Sequence, residues 1–359
     1  MKNDYALIQS LVLKNFTKFE DFSINFSPKI NVIIGENGTG KTQLLKTIYA
    51  LESALEDKER MAVKEAGELS QIITKKFLSV FLPLDNKLGK LRMAGVGSEQ
   101  AEVQVTLGND EKFGVRFNVN SQTVALGDTN YRIGVGDKPV FIPTKEVLSI
   151  MKGFTSLYEK YGLSFDQTYY DICVSLDLPE MRSENVSEKS KWAIEEIEKV
   201  CGGRFIFNGG GNVTFKSGDV EYSANVVAEG FRKIGMLSRL LATGAIRPGR
   251  GGTLLWDEPE TNMNPKLMKL LVSVLFELAR NGQQIIIATH DYVLLKWFDL
   301  LADKGQGDLV SFHTLYKDSE TSQVRVKSTD NYLDIEPNPI SEAFSSLLVA
   351  HAKNQIESA

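Results

Sequence analysis

The stretch GENGTGKT at residues 35–42 constrains the fold of this chain more than any other. It follows a short apolar run, Ile30–Ile34, and precedes a segment of helical periodicity from about Lys41 to about Ala54. The pattern GxxxxGK followed by Ser or Thr, between a strand and a helix, predicts a loop that turns its backbone N–H groups around a phosphate. The bare pattern occurs by chance in about one of a hundred chains of this length, so a glycine turn without a ligand is disfavoured.

Each residue type of this loop suits one part of a triphosphate and its metal ion. Gly35 and Gly40 allow backbone torsion angles that other residues avoid, and the start of the following helix adds partial positive charge. Lys41 is expected to reach the β- and γ-phosphates, and the hydroxyl of Thr42 is expected to hold Mg²⁺. The expected nucleotide contacts are Gly35, Glu36, Asn37, Gly38, Thr39, Gly40, Lys41 and Thr42.

A second motif, TLLWDEPETNMNP at residues 253–265, places acidic groups at the end of a predicted strand. The β-type residues Thr253–Trp256 lead into Asp257 and Glu258, and α/β sheets bind ligands at this edge. Asp257 is expected to hold Mg²⁺, and Glu258 is expected to polarise the water that attacks the γ-phosphate. The sequence Asp-Glu-Pro also suits a simple turn, but its coincidence with the phosphate loop favours the catalytic interpretation.

A third motif, IIIATHD at residues 285–291, ends another short apolar strand in Thr289 and His290. A histidine at this edge of the sheet is expected to contact the γ-phosphate or to orient the attacking water. Single histidines at strand ends are more often structural, yet the other two motifs favour a catalytic role for His290. The three histidines of the chain are scattered, which argues against a metal site built from histidines.

The order of the predicted elements indicates an α/β fold whose core comes from both ends of the chain. Short strands separated by Gly, Asn and Asp turns at residues 101–133 predict an antiparallel β section. A mainly helical segment follows and is predicted to form an inserted lobe. The predicted domains are residues 1–143 with the phosphate loop and the antiparallel section, the helical lobe at 144–201, and residues 202–359 with the remainder of the core.

Local signals predict where several elements begin and end. Ser164 and Gln167 fit a capping box before a helix, and a helix from about Ser187 to Val200 is predicted to end at Gly202–Gly203. Further predictions are hairpin turns at Asn208–Gly211 and Ser217–Gly218, strand 253–256, helix 265–280, strand 284–288 and helix 291–302.

Composition and charge narrow the class of protein. The chain has 359 residues, 42% hydrophobic and 24% charged, which is ordinary globular composition and sufficient for a large core. The formal net charge of −5 argues against a broad nucleic-acid surface. The sequence contains no apolar run of about 18 residues and MKNDYALIQS is no secretion signal, so we expect a cytoplasmic protein without a membrane span. Cys173 and Cys201 form no CxxC pair and are expected to be buried thiols.

Together these motifs resemble the ATPase head of ABC-type proteins. The chain resembles in particular the SMC-like recombination and repair ATPases and the AAA-labelled ATPases of bacterial antiphage systems, including the ATPase part of the overcoming lysogenization defect family. The segments that carry the resemblance are LVLKNFTKFEDFSINFSPKINVIIGENGTGKT, VFIPTKE, AEGFRKIGMLSRLL, LLWDEPETNMNP and IIIATHD. It implies ATP and Mg²⁺ as cofactors, Gly35–Thr42 as the Walker A loop, Leu254–Glu258 as the Walker B strand with Glu258 as the base, and His290 as the switch histidine.

The resemblance also implies contacts between two heads. Asn262–Pro265 matches the D-loop, which lies across a dimer interface in such proteins, so Asn262 and Asn264 are expected near a nucleotide. The Q-loop position falls near Thr144–Glu146, where this chain has no glutamine. Coupling of the metal site through that loop is therefore less well supported than the phosphate loop itself.

The signature loop of the family corresponds to residues around Gly230. In the family this loop carries a serine and paired glycines that meet the γ-phosphate of the partner's ATP, whereas this chain offers Gly230 alone. Arg232 or Lys233, just after it, is expected to supply charge instead. A nucleotide held between two protomers is thus implied by the resemblance, with a departure at the loop that would close over it.

The main functional prediction is an ATPase switch. ATP is expected to draw two heads into a homo-oligomer, hydrolysis is expected to release them, and a separate protein effector in antiphage defence is expected to receive the signal. The chain has neither coiled-coil arms nor room after about residue 350 for a nuclease domain, so we do not expect it to cut nucleic acid.

Two other classes remain as alternatives. The first is an SMC-like, DNA-binding ATPase of repair or maintenance, although its basic side chains also suit a solvated surface. The second, a small-molecule kinase or a GTPase, is disfavoured because the sequence has no NKxD guanine-reading motif and because the DEPE–His290 pair suits activation of water. The basic residues available for a DNA backbone are Lys75, Lys76, Lys87, Lys90, Arg92, Arg247 and Arg250.

Overall fold

The computed structural model describes residues 7–61, 65–95, 97, 99–127 and 136–357, and arranges them as three β-sheets with helices between and around them. The strands are β1 (Ile8–Phe16), β2 (Phe19–Asn25), β3 (Ile30–Gly35), β4 (Ala101–Leu107), β5 (Glu111–Phe117), β6 (Ala125–Leu126), β7 (Val140–Ile142), β8 (Arg204–Phe207), β9 (Val213–Ser217), β10 (Val220–Ser223), β11 (Leu254–Asp257), β12 (Ile285–Ala288), β13 (Val310–Lys317) and β14 (Val324–Thr329). The helices are α1 (Lys41–Arg60), α2 (Ala66–Phe81), α3 (Phe154–Tyr161), α4 (Gln167–Asp177), α5 (Glu188–Cys201), α6 (Glu229–Thr243), α7 (Pro265–Arg280), α8 (Tyr292–Leu301) and α9 (Pro339–Glu357). Within these ranges, no helix is both long and apolar enough to cross a lipid bilayer.

The strand before the phosphate loop, β3, lies inside a sheet of order β14-β13-β3-β12-β11-β7. All neighbouring pairs run parallel except β14, which pairs antiparallel with β13 at the edge. The strands that carry the three sequence motifs, β3, β12 and β11, are therefore adjacent. Because parallel strands end at the same edge of a sheet, the residues after these strands meet there. The predicted α/β fold class is confirmed.

Alternate side chains of this parallel sheet enter two different hydrophobic cores. Every residue of β3 is buried, because other elements cover both faces of the sheet. On one face, Ile33 and Leu255 pack with α1 and the antiparallel sheet. On the other face, Val32 and Trp256 pack with α6, α7 and the helical segment. The two cores hold the motif strands rigidly from both sides, which fixes where their ends lie.

The predicted antiparallel section is confirmed within the described residues as β4–β6. These strands join β1 and β2 in a sheet of order β2-β1-β4-β5-β6, and every pair is antiparallel. The last part of the section predicted at residues 101–133, from residue 128 onward, lies outside the described residues, and Gly136, just beyond it, bridges to Gly251. The first strand, β1, begins at Ile8, and residues 1–6 lie outside the described part.

The segment at residues 144–201 contains α3, α4 and α5, as predicted from its pattern. Its buried side chains, such as Leu176 and Ile197, belong to the same hydrophobic core as the parallel sheet. Charged groups also join it to α1: Lys46 lies 2.8 Å from Asp166, and the hydroxyl of Tyr49 donates to Asp171 at 2.5 Å. The helix after the phosphate loop is thus bound to α4 directly. The division into three domains stays a prediction.

The predicted capping box at Ser164 and Gln167 is wrong. The cap of α4 is Asp166, whose Oδ1 accepts a hydrogen bond from the backbone N–H of Thr168 at 3.0 Å. Aspartate immediately before the first helical residue satisfies the free N–H groups better than a serine two positions earlier. By contrast, the helix predicted to end at Gly202 is confirmed, with Ser187 as its N-terminal cap and Gly202 in the left-handed region at φ +68°.

The two hairpin turns predicted after α5 are confirmed by a small sheet of order β10-β9-β8. This sheet packs beside α5 and α6 through Phe205 and Phe215, whose rings lie 4.9 Å apart. Cys173 and Cys201 are buried and unbonded to each other, as predicted.

Candidate active site

The phosphate loop connects β3 to α1, and its glycines hold the backbone in conformations that other residues adopt rarely. Gly35 has φ +147° and Gly40 has φ +96°. A Cβ at Gly35 would stand 2.3 Å from the carbonyl oxygen of Leu315, and one at Gly40 would stand 2.8 Å from the ring of Phe19. Both positions therefore exclude a side chain, and the loop keeps the compact form needed to surround an anion.

Lys41, the first residue of α1, folds back over the loop. Its Nζ donates to the carbonyl oxygen of Gly35 at 2.7 Å and to that of Glu36 at 3.2 Å. Burial lowers the pKa of Lys41, and the nearby carboxylates of Glu258 and Asp257 oppose that shift. The ammonium group is thus held among carbonyl oxygens of the loop, and its predicted contact with phosphates stays a prediction.

Asp257, the last residue of β11, accepts hydrogen bonds from two hydroxyl groups, one of which lies on α1. Its Oδ2 accepts from the hydroxyl of Thr42 at 2.9 Å and from that of Thr144 at 3.0 Å. Its Oδ1 is buried and has no hydrogen-bond partner in the described residues. Burial raises the pKa of Asp257, and the bonds from the two threonines oppose that shift. A buried carboxylate oxygen without a partner is what a cation site would leave in a protein without its cation.

Glu258 and His290 follow adjacent parallel strands and face each other. Glu258 has φ +48°, and its backbone N–H donates to the carbonyl oxygen of Ala288 at 2.9 Å, which ties the ends of β11 and β12 together. Its Oε1 lies 3.3 Å from Nδ1 of His290. The Glu258 side chain is 25% exposed and that of His290 is 50% exposed, so solvent reaches both groups. The two side chains predicted to act on water are therefore neighbours at the mouth of the site.

Glu260 is a member of this site that sequence reasoning did not assign. Its Oε1 accepts from the hydroxyl of Thr289 at 2.7 Å and from the backbone N–H of His290 at 3.0 Å. Its side chain is 4% exposed, and its Oε2 is buried without a hydrogen-bond partner in the described residues. Burial raises the pKa of Glu260, and the bonds from His290 and Thr289 oppose that shift. The motif DEPE could have indicated Glu260 as a member of the site, because it contains a second glutamate close to the predicted base.

The side chains of Arg232 and Lys233, the two cations expected near the signature loop, both contact groups of their own chain. The guanidinium of Arg232 pairs with Glu146 at 2.9 Å and is 12% exposed. Lys233 is fully buried, and its Nζ donates to the carbonyl oxygen of Glu258 at 3.3 Å. Burial lowers the pKa of Lys233, and the neighbouring carboxylates, Glu229 first among them, oppose that shift. Both cations are thus engaged with groups of their own protomer.

Gly230 and the two asparagines of the predicted D-loop line one surface cavity of about 360 Å³. The Asn262 amide donates to Oε1 of Glu229 at 3.0 Å, and a Cβ on Gly230 would stand 3.2 Å from Cα of Met263. Asn264 caps α7, because its Oδ1 accepts from the backbone N–H of Lys266 at 2.9 Å. The structure therefore brings these three residues together, apart from the cluster around Lys41, Asp257 and His290.

Comparison with known proteins agrees with this architecture. A model of a family described as "AAA ATPase domain" matches residues 7–132, and one described as "AAA domain, putative AbiEii toxin, Type IV TA system" matches residues 176–296. The DNA replication and repair protein RecF of Ligilactobacillus salivarius is 34% identical over 94 residues, covering 23% of this chain and 25% of RecF. This chain thus spans about a quarter of the length of the curated relatives it matches.

Two solved structures share the fold at low sequence identity. An Smc head bound to the C-winged helix domain of ScpA has a TM-score of 0.54 and 16% identity, covering 90% of this chain and 97% of that one. An Smc head with an extended coiled coil, bound to the C-terminal domain of ScpA from Pyrococcus furiosus, has a TM-score of 0.52 and 14% identity, covering 96% and 100%. At these identities the likeness is one of fold.

Proposed function

We propose that this chain binds ATP with Mg²⁺, hydrolyses it, and uses the cycle as a switch. Its matches to models of AAA ATPase families and its Smc-head fold support this proposal. The observation that carries this proposal is the hydroxyl of Thr42, 2.9 Å from Oδ2 of Asp257. This contact joins the phosphate loop to the acidic strand end, as a site for a metal-bound triphosphate requires.

The residues present fit Mg²⁺. Oδ1 of Asp257 is buried and lacks a partner in the described residues, and the Thr42 and Thr144 hydroxyls lie beside Oδ2. Mg²⁺ prefers such oxygen ligands and usually takes one or two protein groups plus substrate phosphates. No cluster of three or more His, Cys, Asp or Glu side chains suited to a metal occurs in the described ranges, which agrees with a cation held partly by ATP. When bound, the ion neutralises charge on the β- and γ-phosphate oxygens.

In the proposed reaction, Glu258 accepts a proton from the attacking water. The water oxygen forms a bond to the γ-phosphorus, the bond from that phosphorus to the bridging oxygen breaks, and the electron pair stays on ADP. Lys41 exchanges its bonds to Gly35 and Glu36 for bonds to phosphate oxygens, which stabilises the charge that develops there. His290, 3.3 Å from Glu258, orients the water or the γ-phosphate.

The switch is proposed to work through association of two heads and a separate effector. Gly230, Asn262 and Asn264 line a common surface cavity, which supports contact with the nucleotide of a second head. The printed titles of the two Smc heads name a bound ScpA domain, which supports a separate protein partner. The description of the second family model names a putative toxin of a toxin–antitoxin system, whereas the proposed role in antiphage defence rests on the resemblance of the sequence motifs.

A DNA-binding ATPase of repair or maintenance is the second candidate, and the likeness to RecF favours it. Several of the basic side chains available for DNA already have partners in the chain. Lys76 lies 3.1 Å from Asp57, Arg247 lies 2.5 Å from Asp137, and Arg92 donates to the carbonyl oxygen of Glu99 at 2.7 Å. The two ion pairs reduce the positive charge that Lys76 and Arg247 offer to a phosphate backbone, so we place this function second.

Mass measurement of the Glu258→Gln variant with and without ATP tests the switch, alone and with the product of the neighbouring gene. An ATP-dependent dimer in this variant and none in Lys41→Ala is the expected result. A monomer in all conditions would contradict head association. Binding to duplex DNA that weakens steeply with salt would instead support the second candidate, because phosphate contacts release counterions.

A further inference from the structure

The carboxylate of Glu260 has a position that the proposed function leaves unexplained. Glu260 lies three residues beyond the end of β11, yet the hydrogen bonds from Thr289 and His290 to its side chain come from residues that follow the neighbouring strand β12. One oxygen, Oε1, receives both the Thr289 hydroxyl and the backbone N–H of His290. The same oxygen lies 3.5 Å from Nδ1 of the His290 ring.

The His290 ring therefore has two carboxylates at one nitrogen. Nδ1 lies 3.3 Å from Oε1 of Glu258 and 3.5 Å from Oε1 of Glu260. Nε2, on the other edge of the ring, makes no hydrogen bond within the described residues, and the ring is 50% exposed. An imidazole that faces carboxylates with Nδ1 carries its proton there, because a carboxylate accepts and does not donate.

The two carboxylates differ in their surroundings. Glu258 is 25% exposed and can exchange protons with solvent, whereas Glu260 is 4% exposed and held by two donors at Oε1. Burial of a carboxylate with one unpartnered oxygen makes folding less favourable, so packing alone does not explain the position of Glu260. An interaction of its negative charge with His290 does explain it.

We propose that Glu260 is a positioning residue that sets the tautomer and orientation of His290. Its carboxylate holds the proton of the neutral ring at Nδ1 and leaves Nε2 free to meet the γ-phosphate or the attacking water. Glu258 remains the group that takes the proton of the water. The inference rests on the proposed ATPase function for the identity of the ligand that Nε2 meets, whereas the tautomer follows from the contacts of the protein alone.

Other charged groups also face this pair and belong in the prediction. Lys41 from α1 and Lys233 from α6 lie close enough to interact electrostatically with both Glu258 and Glu260. Asp291, next to His290, is engaged in capping α8 through the backbone N–H of Leu294 at 2.7 Å. Loss of the Glu260 charge removes one of two carboxylates at Nδ1 while both lysines remain, so Nδ1 should lose part of its preference over Nε2 for the ring proton.

The test is nitrogen-15 NMR of the whole protein labelled at histidine. The chain has three histidines, and a His290→Asn variant assigns the His290 signals. The expected result in the wild-type protein is a neutral His290 with its proton at Nδ1. In Glu260→Gln, the share of the neutral ring that carries its proton at Nδ1 should fall, because one of the two carboxylates facing that nitrogen is gone. A proton at Nε2 in the wild type, or an unchanged tautomer ratio in a folded Glu260→Gln, would overturn the proposal.

Glu52→Gln is the matched control, because Glu52 is another buried glutamate and its Oε1 binds Thr253, just before the opposite end of β11. It should leave the His290 signals unchanged.

Glutamine at 260 can still accept both bonds at Oε1, so a purely structural role predicts normal activity for Glu260→Gln. We expect instead a kcat about tenfold lower or more with the KM for ATP changed less than about twofold. Should Glu260→Gln fail to fold, the tautomer of the wild-type protein still decides. Failure of the wild type to bind ATP would refute the proposed function and leave the tautomer result standing.

Discussion

The hydroxyl of Thr42 lies 2.9 Å from Oδ2 of Asp257, although 215 positions of the chain separate the two residues. Thr42 stands in the first turn of α1 and Asp257 ends β11, which is separated from β3 by β12 in the parallel sheet. The contact therefore closes the phosphate loop against the acidic strand end across one intervening strand. It is the geometric core of the proposed ATP site, and the predictions below probe it and its surroundings.

Replacement of Lys41 by alanine should weaken ATP binding by about 100-fold or more. The ammonium group lies within hydrogen-bond distance of two loop carbonyls, and bonds between charged groups contribute about 1.5–3 kcal/mol each. Titration with a fluorescent ATP analogue measures the change. Lys29→Ala is the matched control, because Lys29 precedes β3 at its other end and donates to Gly307. Equal affinity in the wild type and Lys41→Ala would refute the assignment of the phosphate loop.

Replacement of Glu258 by glutamine should slow phosphate release by about 100-fold or more while ATP affinity changes little. Glutamine keeps the size of the side chain but cannot take the proton of the attacking water. Steady-state phosphate release and ATP binding, measured on the same preparation, separate the two effects. Full turnover in this variant would remove Glu258 from the role of base and direct attention to Glu260.

Replacement of Thr42 by valine should raise the Mg²⁺ concentration needed for tight ATP binding, and Thr144→Val should do so to a smaller extent. Both hydroxyls donate to the same oxygen of Asp257, so each orients the carboxylate, and Thr42 is also expected to ligate the ion. Nucleotide affinity measured across Mg²⁺ concentrations reports the change. Thr47→Val, also on α1 and bonded to the carbonyl oxygen of Gln43, is the control. If Thr42→Val and Thr47→Val behave alike, the hydroxyl of Thr42 does not serve the metal.

Replacement of Glu52 by glutamine should alter how stability depends on pH. Burial raises the pKa of Glu52 to about 7, above the ordinary value of about 4.3 that applies to the unfolded chain. The folded protein thus holds this proton more tightly, and the stability that the proton contributes is lost as the pH rises from about 4.3 to 7. Glutamine cannot ionise, so the free energy of unfolding of Glu52→Gln relative to wild type should rise by on the order of 3 kcal/mol across this range. Urea unfolding at pH 4.5 and pH 8 measures it, and a difference independent of pH would show that Glu52 does not titrate there.

Much of the fold was readable from local patterns. The alternation of apolar runs, glycine turns and helical periods placed β3, β11, β12, α5 and α7 within a residue or two of their observed bounds. The predicted N-terminal cap of α4 was wrong. Ser164 and Gln167 fit the capping-box pattern, but Asp166 between them is the residue that caps the helix. Arg232 or Lys233 was expected to supply charge at the signature loop; within one chain they engage Glu146 and the backbone of Glu258, and the expected role stays a prediction. Local patterns report backbone preference, but they do not report which side chain a cation will meet.

The sequence by itself determined that a phosphate loop, two acidic residues and a histidine follow short buried strands, because residue type and spacing along the chain dictate local backbone structure. Only the tertiary structure decided that β12 lies between β3 and β11, that Thr144 shares Asp257 with Thr42, and that Glu260 binds the residues after β12. Thr144 and Asp257 are 113 residues apart in the sequence, and Glu260 and Thr289 are 29 residues apart. These contacts depend on strand order and on which face of the sheet each side chain enters, and both are set by the packing of the two cores.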